Sequence, residues 1–109
     1  MTMVKALNAW EAENGIAPSE AEVIMLIMCT PLLKTIDTTV LGTLAKCVKL
    51  SLACNAIEKM RPMPPLRNLK ILALSRNKLS RIQHLEEIGD TLEELWLSYN
   101  NISTLSGLH

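Results

Sequence analysis

Polar and apolar residues alternate in three short runs of the same form, and between the runs apolar residues recur at every third position. The clearest run is Leu69-Lys70-Ile71-Leu72-Ala73-Leu74-Ser75-Arg76-Asn77-Lys78-Leu79, which reads L-x-x-L-x-L-x-x-N-x-L. The stretch from Leu92 to Ile102 has the same form, and so does that from Cys47 to Ile57, with Cys in place of the first Leu. Asn55, Asn77 and Asn100 are spaced by 22 and 23 residues. One such match could be chance in a leucine-rich chain; three in register are not.

A period between about 20 and 29 residues with this pattern is the mark of a leucine-rich repeat. The expected architecture is an α/β solenoid. Each coil contributes one short strand to a parallel sheet on the concave side and returns through a 3₁₀ or helical convex arm. Leu50 and Leu52, Leu72 and Leu74, and Leu95 and Leu97 point inward. Asn55, Asn77 and Asn100 form a structural ladder, because an amide carries both donors and an acceptor for the bend and for the neighbouring coil. In the arms, Ile57, Met60, Met63, Leu66 and Leu69, then Leu79, Ile82, Leu85, Ile88 and Leu92, then Ile102, Leu105 and Leu108, follow a period of three. Residues i and i+3 eclipse in a 3₁₀ helix, so short 3₁₀ turns are expected there. Pro62, Pro64 and Pro65 exclude an α-helix, whereas Thr38–Lys46 and Glu86–Glu93 have room for a helical turn.

The first 22 residues read as a helical cap over the end of the stack, since a terminal coil would otherwise expose a row of leucines. Residues 2–14 predict a helix whose apolar face is Val4, Leu7 and Trp10, widened by Ala6. Asn14-Gly15 is its left-handed stop. Ser19 and Glu22 have capping-box spacing. Residues 23–109 form the repeats: a degenerate first repeat over 23–46, then repeats beginning at 47, 69 and 92, the last incomplete. The first aligns as Leu26-x-Met28-x-x-Pro31-x-Leu33-x-x-Ile36, which places Pro31 where the other repeats carry Asn. With no helical cap after residue 109, the open last repeat predicts marginal stability or self-association.

Alternation along a strand throws every second residue outward. On this alignment the concave face presents four columns. The first is Met25, Lys49, Ile71 and Glu94; the second is Ile27, Ser51, Ala73 and Trp96. The third is Cys29, Ala53, Ser75 and Ser98, and at the bend lie Thr30, Cys54, Arg76 and Tyr99. Ile27, Ile71 and Trp96 are poorly suited to a solvated strand face. An apolar patch with Lys49, Arg76 and Glu94 beside it has the character of a partner site. The bland alternative is that the cap covers Ile27 and a neighbouring coil covers Trp96.

Composition narrows the function classes. The 109 residues carry 11 basic and 11 acidic side chains, a formal net charge of zero, so no electrostatic pull toward nucleic acid or an anionic membrane exists. The longest apolar run, Val23–Cys29, is far shorter than the roughly 20 residues that span a bilayer. No signal-peptide pattern opens the chain. Phe is absent and the aromatics are few, so leucine, isoleucine, valine and methionine must fill the core. Three cysteines, Cys29, Cys47 and Cys54, without C-x-x-C spacing, point to reduced thiols of a cytoplasmic protein. The two histidines, His84 and His109, have no nucleophile placed with them. There is no glycine-rich phosphate loop and no metal-ligand cluster. An enzyme and a cofactor are therefore not expected.

Beyond the repeat core, Lys5-Ala6-Leu7-Asn8-Ala9-Trp10-Glu11, Pro18-Ser19-Glu20-Ala21, Leu50-Ser51-Leu52, Asn55-x-Ile57-Glu58-Lys59 and Gly89-Asp90-Thr91-Leu92-Glu93-Glu94-Leu95-Trp96-Leu97-Ser98-Tyr99-Asn100 resemble the outer-arm axonemal dynein light chain 1 family. The resemblance runs from about residue 4 to residue 109, and the segment Gly89–Asn100 is its most specific part. It implies a non-catalytic subunit of ciliary and flagellar dynein, in the axonemal cytoskeleton. Such a subunit binds a dynein heavy-chain motor region through the sheet face and tunes its contact with the microtubule. The implied contact falls on Ile27, Ile71 and Trp96, with Lys49, Arg76, Glu94 and Tyr99 at its edges; with Met25, Ser51, Ala73 and Ser98 from the strand columns these make up the expected partner-binding surface. A contact with tubulin is a further expectation. A phosphatase-regulatory or general scaffold protein of the same repeat class is the alternative.

Overall fold

The computed structural model describes residues 2–102 and 104–105. Leu108 and His109 lie outside them. The chain opens with helix α1 (Met3–Asn14). The Thr2 hydroxyl caps it by accepting from the Lys5 amide at 3.2 Å, and Gly15 ends it at φ 70°, where a residue without Cβ meets no steric penalty. The buried stripe is Met3, Ala6 and Leu7, with Trp10 half-buried, and Val4 faces solvent. Positions 3, 6, 7 and 10 follow a 3.6-residue period, whereas strict threes through Val4 drift off the face. A 3₁₀ turn follows at Pro18–Glu20. Its N-cap is Ala17, with no side-chain hydrogen bond, and proline starts the turn instead, so the capping box expected of Ser19 and Glu22 is not used.

The concave sheet has four parallel strands in chain order: β1 (Val23–Met25), β2 (Lys49–Ser51), β3 (Ile71–Ala73) and, after the short strand β4 (Arg81–Ile82), β5 (Glu94–Trp96). The same backbone bonds recur between successive coils. Leu26, Leu52 and Leu74 each donate to Ser51, Ala73 and Trp96 respectively at 2.8 Å, and Met28, Cys54 and Arg76 donate to Ala53, Ser75 and Ser98. Convex strand β4 pairs in parallel with β6 (Thr104–Leu105). Helix α2 (Thr38–Leu41) forms the first convex arm, capped by Asp37, whose side chain accepts from the Val40 amide. A 3₁₀ turn at Glu86–Ile88 forms the third. The second arm carries no helix between Ile57 and Leu69. Its three prolines lack the N–H that a 3₁₀ ladder requires. Ile57, Met60, Met63, Leu66 and Leu69 are nonetheless all buried, so the period of three marks the core side of an extended arm.

Pairing corrects the register of the first repeat. Ile24 lies opposite Leu50 and Val23 opposite Lys49, two residues from the expected alignment. Cys29, not Pro31, therefore stands at the asparagine position, followed by two extra residues before Leu33 rejoins the pattern. The backbone confirms that return: the carbonyls of Leu33, Ile57 and Leu79 accept equivalent bonds from Ala56, Lys78 and Asn101. Cys29 also behaves as a reduced version of the asparagine. Its thiol donates to the Leu26 carbonyl three residues back, at 3.6 Å, where Asn55, Asn77 and Asn100 each donate to Leu52, Leu74 and Leu97 at 3.0 Å.

Asparagine amides join the coils. Asn77 accepts from the Ile57 amide at 3.1 Å and donates to the carbonyls of Leu52 and Leu74, both at 3.0 Å. Asn55 does the same toward Leu33 and Leu26, and Asn100 toward Leu79 and Leu74. Each side chain thus satisfies groups of its own bend and of the preceding coil. Under this ladder lie the fully buried leucines and isoleucines of the first three coils, while Leu95 and Leu97 are half-buried.

Candidate functional site

The concave face is built from residues between the inward leucines. A two-residue shift preserves inward and outward parity, so Met25 and Ile27 remain on this face but each moves on by one column. The observed columns are Val23, Lys49, Ile71 and Glu94, then Met25, Ser51, Ala73 and Trp96. Ile27 heads the third column, in place of Cys29, beside Ala53, Ser75 and Ser98. The bend column begins with Met28, not Thr30, and continues through Cys54, Arg76 and Tyr99.

Exposure divides these residues. Val23, Met25, Ile27, Met28, Trp96 and Tyr99 all expose large apolar surface, Met28 and Tyr99 most at 69% and 72%. Arg76, Glu94 and Ser98 are exposed, and Lys49 and Ile71 half-buried. Ser51 and Ala73 are buried despite pointing outward. Ala73 is the register neighbour of Trp96 on the adjacent strand, and Ser51 lies one strand beyond it. The Lys49 Nζ lies 5.1 Å from the Trp96 ring centroid, although β3 separates their strands. Adjacent strands sit about 4.8 Å apart, so ring and lysine stem must reach across β3 over Ala73. A larger residue there would hold them apart. On the same strand the Trp96 Nε1 donates to a Glu94 carboxylate oxygen at 3.4 Å. One bend further on, the Arg76 guanidinium stacks 4.3 Å from the Tyr99 ring. Cation–π contacts of this kind orient both partners. Neither Lys49 nor Arg76 has a carboxylate partner among the described residues.

The bend column carries a further signal. Met28, Cys54, Arg76 and Tyr99 all adopt φ between 55° and 61°, the left-handed region. For a non-glycine residue that conformation costs about 1–2 kcal/mol. Four successive coils therefore place side chains where glycine would suit the backbone better. At Met28 and Tyr99 those side chains project apolar surface into solvent. The sequence reading missed Val23 and Met28, although the accepted N-or-Cys choice at the ladder position would have pointed to Cys29 and so to both.

Beside β1 an open groove of about 260 Å³ separates α1 from the first repeat, lined on the helix side by Ala6, Ala9, Trp10 and Glu13 and on the other by Met25 and Ile27. It continues the apolar patch. The cap covers Ile27 only in part, leaving it 41% exposed.

The remaining chemistry is sparse. The three thiols are free. Burial pushes the Cys47 thiol up to about 11 and raises that of Cys29, so neither is a ready thiolate near neutral pH. Among the described residues no three His, Cys, Asp or Glu side chains are grouped to hold a metal ion. No described helix is long and apolar enough to cross a membrane.

The coil geometry, asparagine ladder and parallel concave sheet define a leucine-rich-repeat solenoid with an N-terminal helical cap. The Leucine Rich Repeat family model matches residues 91–108. The chain is a homologue of dynein axonemal light chain 1. It is 47% identical to the proteins of that name from Rattus norvegicus and Homo sapiens over 93 residues, which is 85% of this chain and 48% of each relative. Against the Chlamydomonas reinhardtii protein, identity is 40% over 97 residues, 89% of this chain and 48% of the relative. The chain thus spans about half the length of the curated relatives it matches.

Proposed function

We propose that this chain is a non-catalytic interaction subunit of outer-arm dynein in cilia and flagella. In this reading its concave face binds a dynein heavy-chain motor region and modulates that motor's hold on the microtubule. The observation that carries it is the exposed apolar surface of Val23, Met25, Ile27 and Met28 on the first coil and of Trp96 and Tyr99 on the fourth, with Lys49 and Arg76 between them, neither ion-paired among the described residues. An exposed aromatic anchor beside cations is a common make-up of an energetically dominant contact. Homology to proteins named as axonemal dynein light chains supports the choice of partner.

The test is titration of the purified chain against a recombinant dynein heavy-chain motor region. Trp96→Ala should weaken binding by about 2 kcal/mol or more, as for an anchor residue, with its melting curve retained. Undiminished affinity of Trp96→Ala and Met25→Glu together would refute the concave site. Recovery of a phosphatase catalytic subunit, and no heavy chain, from ciliated-cell extract would favour the scaffold reading. Co-sedimentation with microtubules, with and without heavy chain, tests the tubulin contact, and sedimentation of the chain alone tests self-association.

A further inference from the structure

Trp96 sits on β5, its register partner on β3 is Ala73, and Ser51 continues the row on β2. All three belong to the concave side, yet Ser51 is 1% exposed and Ala73 2%, while Trp96 is 46% exposed. Small outward-facing residues on an open sheet are buried to that degree only when larger neighbours close over them. The Trp96 ring is placed to do so. The Lys49 Nζ, reaching from β2, lies 5.1 Å from the ring centroid. Strands β2 and β5 are two spacings apart, roughly 10 Å, so the contact falls above β3, the strand that carries Ala73. A Glu94 carboxylate oxygen accepts from the Trp96 Nε1 at 3.4 Å and holds the ring edge. Both holds are at the surface and weak. An exposed cation–π contact favours the held position only about two- to fivefold, and a long hydrogen bond between exposed groups adds little. On its other side β5 pairs with no strand among the described residues, which leaves the ring room to move.

We infer that Lys49 latches the Trp96 ring over Ala73 in the free chain, and that the ring lifts from this row when the partner binds. This is a regulation of the concave site and rests on the concave-face reading above. Lying along the sheet, the ring covers part of the surface it would serve. A tryptophan anchor contributes most when a partner pocket closes around it and excludes water, and a ring laid over β3 offers one face to such a pocket. Lifting frees both faces. It also uncovers Ser51 and Ala73, a shallow row of small residues that runs on to the exposed Met25 and can take an apolar side chain of the partner. Only the lifted population binds, so the latch lowers the apparent affinity by that population's share. The weakness of the latch keeps the lifted state populated, and the cost to affinity stays within the same two- to fivefold factor.

The latch is tested first in the free chain, by the NMR shift of the Ala73 methyl after isotope labelling of alanine methyls. A ring above Ala73 shields that methyl. Its resonance should lie upfield of its position in Trp96→Ala, and Lys49→Gln should move it part of the way there. One and the same position in the parent chain and in Trp96→Ala would overturn the latch. Saturation with the recombinant heavy-chain motor region should then remove the upfield displacement, and its persistence at saturation would overturn the lifting. In titration against the same region, Lys49→Gln should bind roughly two- to fivefold more tightly than the parent chain. Lys49→Arg, which keeps the cation, should bind as the parent does, and both should melt as it does. Equal or weaker binding by Lys49→Gln would make Lys49 a direct contact and overturn its role as a latch. The concave site fails by other results: no binding by the parent chain, or undiminished affinity of Trp96→Ala and Met25→Glu together, would overturn it while leaving the Ala73 shift of the free chain in place.

Discussion

Lys49 and Trp96 meet across an intervening strand, with the ammonium 5.1 Å from the ring centroid. They sit in different columns and on strands that do not pair. Buried Ser51 and Ala73 leave the ring room to lie over the sheet. The pair braces the centre of the concave face before any partner arrives. A double-mutant cycle of Lys49→Ala and Trp96→Ala should give a coupling energy of about 0.5–1 kcal/mol, the range for an exposed cation–π contact. Strict additivity of the two unfolding free energies would show that the contact contributes nothing. Ala73→Leu, which fills the floor, should abolish the coupling.

Asn77→Ala should destabilise the chain by about 1–3 kcal/mol, because the Ile57 amide and two carbonyls lose a buried partner. Cys29→Ala should cost much less, since the thiol makes one long bond at the end of the ladder. Thermal melts of the two variants side by side measure the difference. Equal losses would show that the first rung matters as much as the inner ones.

Met28→Gly should leave stability nearly unchanged, as relief of the left-handed conformation at φ 55° offsets the added freedom of the unfolded chain. Met28→Val should destabilise by about 1 kcal/mol or more, because a β-branched residue is a poorer fit to that region. If Met28 serves the surface, the glycine variant should also bind the heavy-chain region more weakly while melting normally. Denaturant titration with parallel binding measurements separates the two effects.

Cys47 links stability to alkaline pH. Its folded thiol titrates near 11 against an ordinary value of 9.0, because burial disfavours the thiolate. Below pH 9 both states keep the proton and its contribution is fully present. Between about 9 and about 11 the unfolded state ionises first, so stability falls as pH rises. Cys47→Ala should flatten this part of the pH profile. In a thiol-labelling time course near pH 8, Cys47 should react last, at a rate set by opening of the core. Rapid labelling of Cys47 in the native chain would contradict its burial.

Coil number, strand positions and the inward leucines of the three later repeats were legible because each L-x-x-L-x-L-x-x-N-x-L segment carries its own register. The first repeat was not. Both Ile24/Leu26 and Leu26/Met28 present an apolar pair with the right alternation, so local pattern cannot distinguish them. Pairing with β2 decides, since only one alignment lets Leu26 donate to Ser51 and Met28 to Ala53. The wrong alignment still placed Met25 and Ile27 on the concave face, because a slip of two residues preserves strand parity. It missed Val23 and Met28, at the two ends of the exposed run.

By itself, then, the sequence determined a repeat solenoid, its asparagine ladder and, in the three later repeats, which strand side chains face outward. Spacing along the chain is enough for these, because burial repeats with the backbone. Only the tertiary structure decided that Ser51 and Ala73 lie buried in the column of Trp96, and that a groove under α1 joins the concave face. Those features depend on contacts between residues far apart in sequence, where side-chain size and inter-strand bonds, not periodicity, determine the outcome.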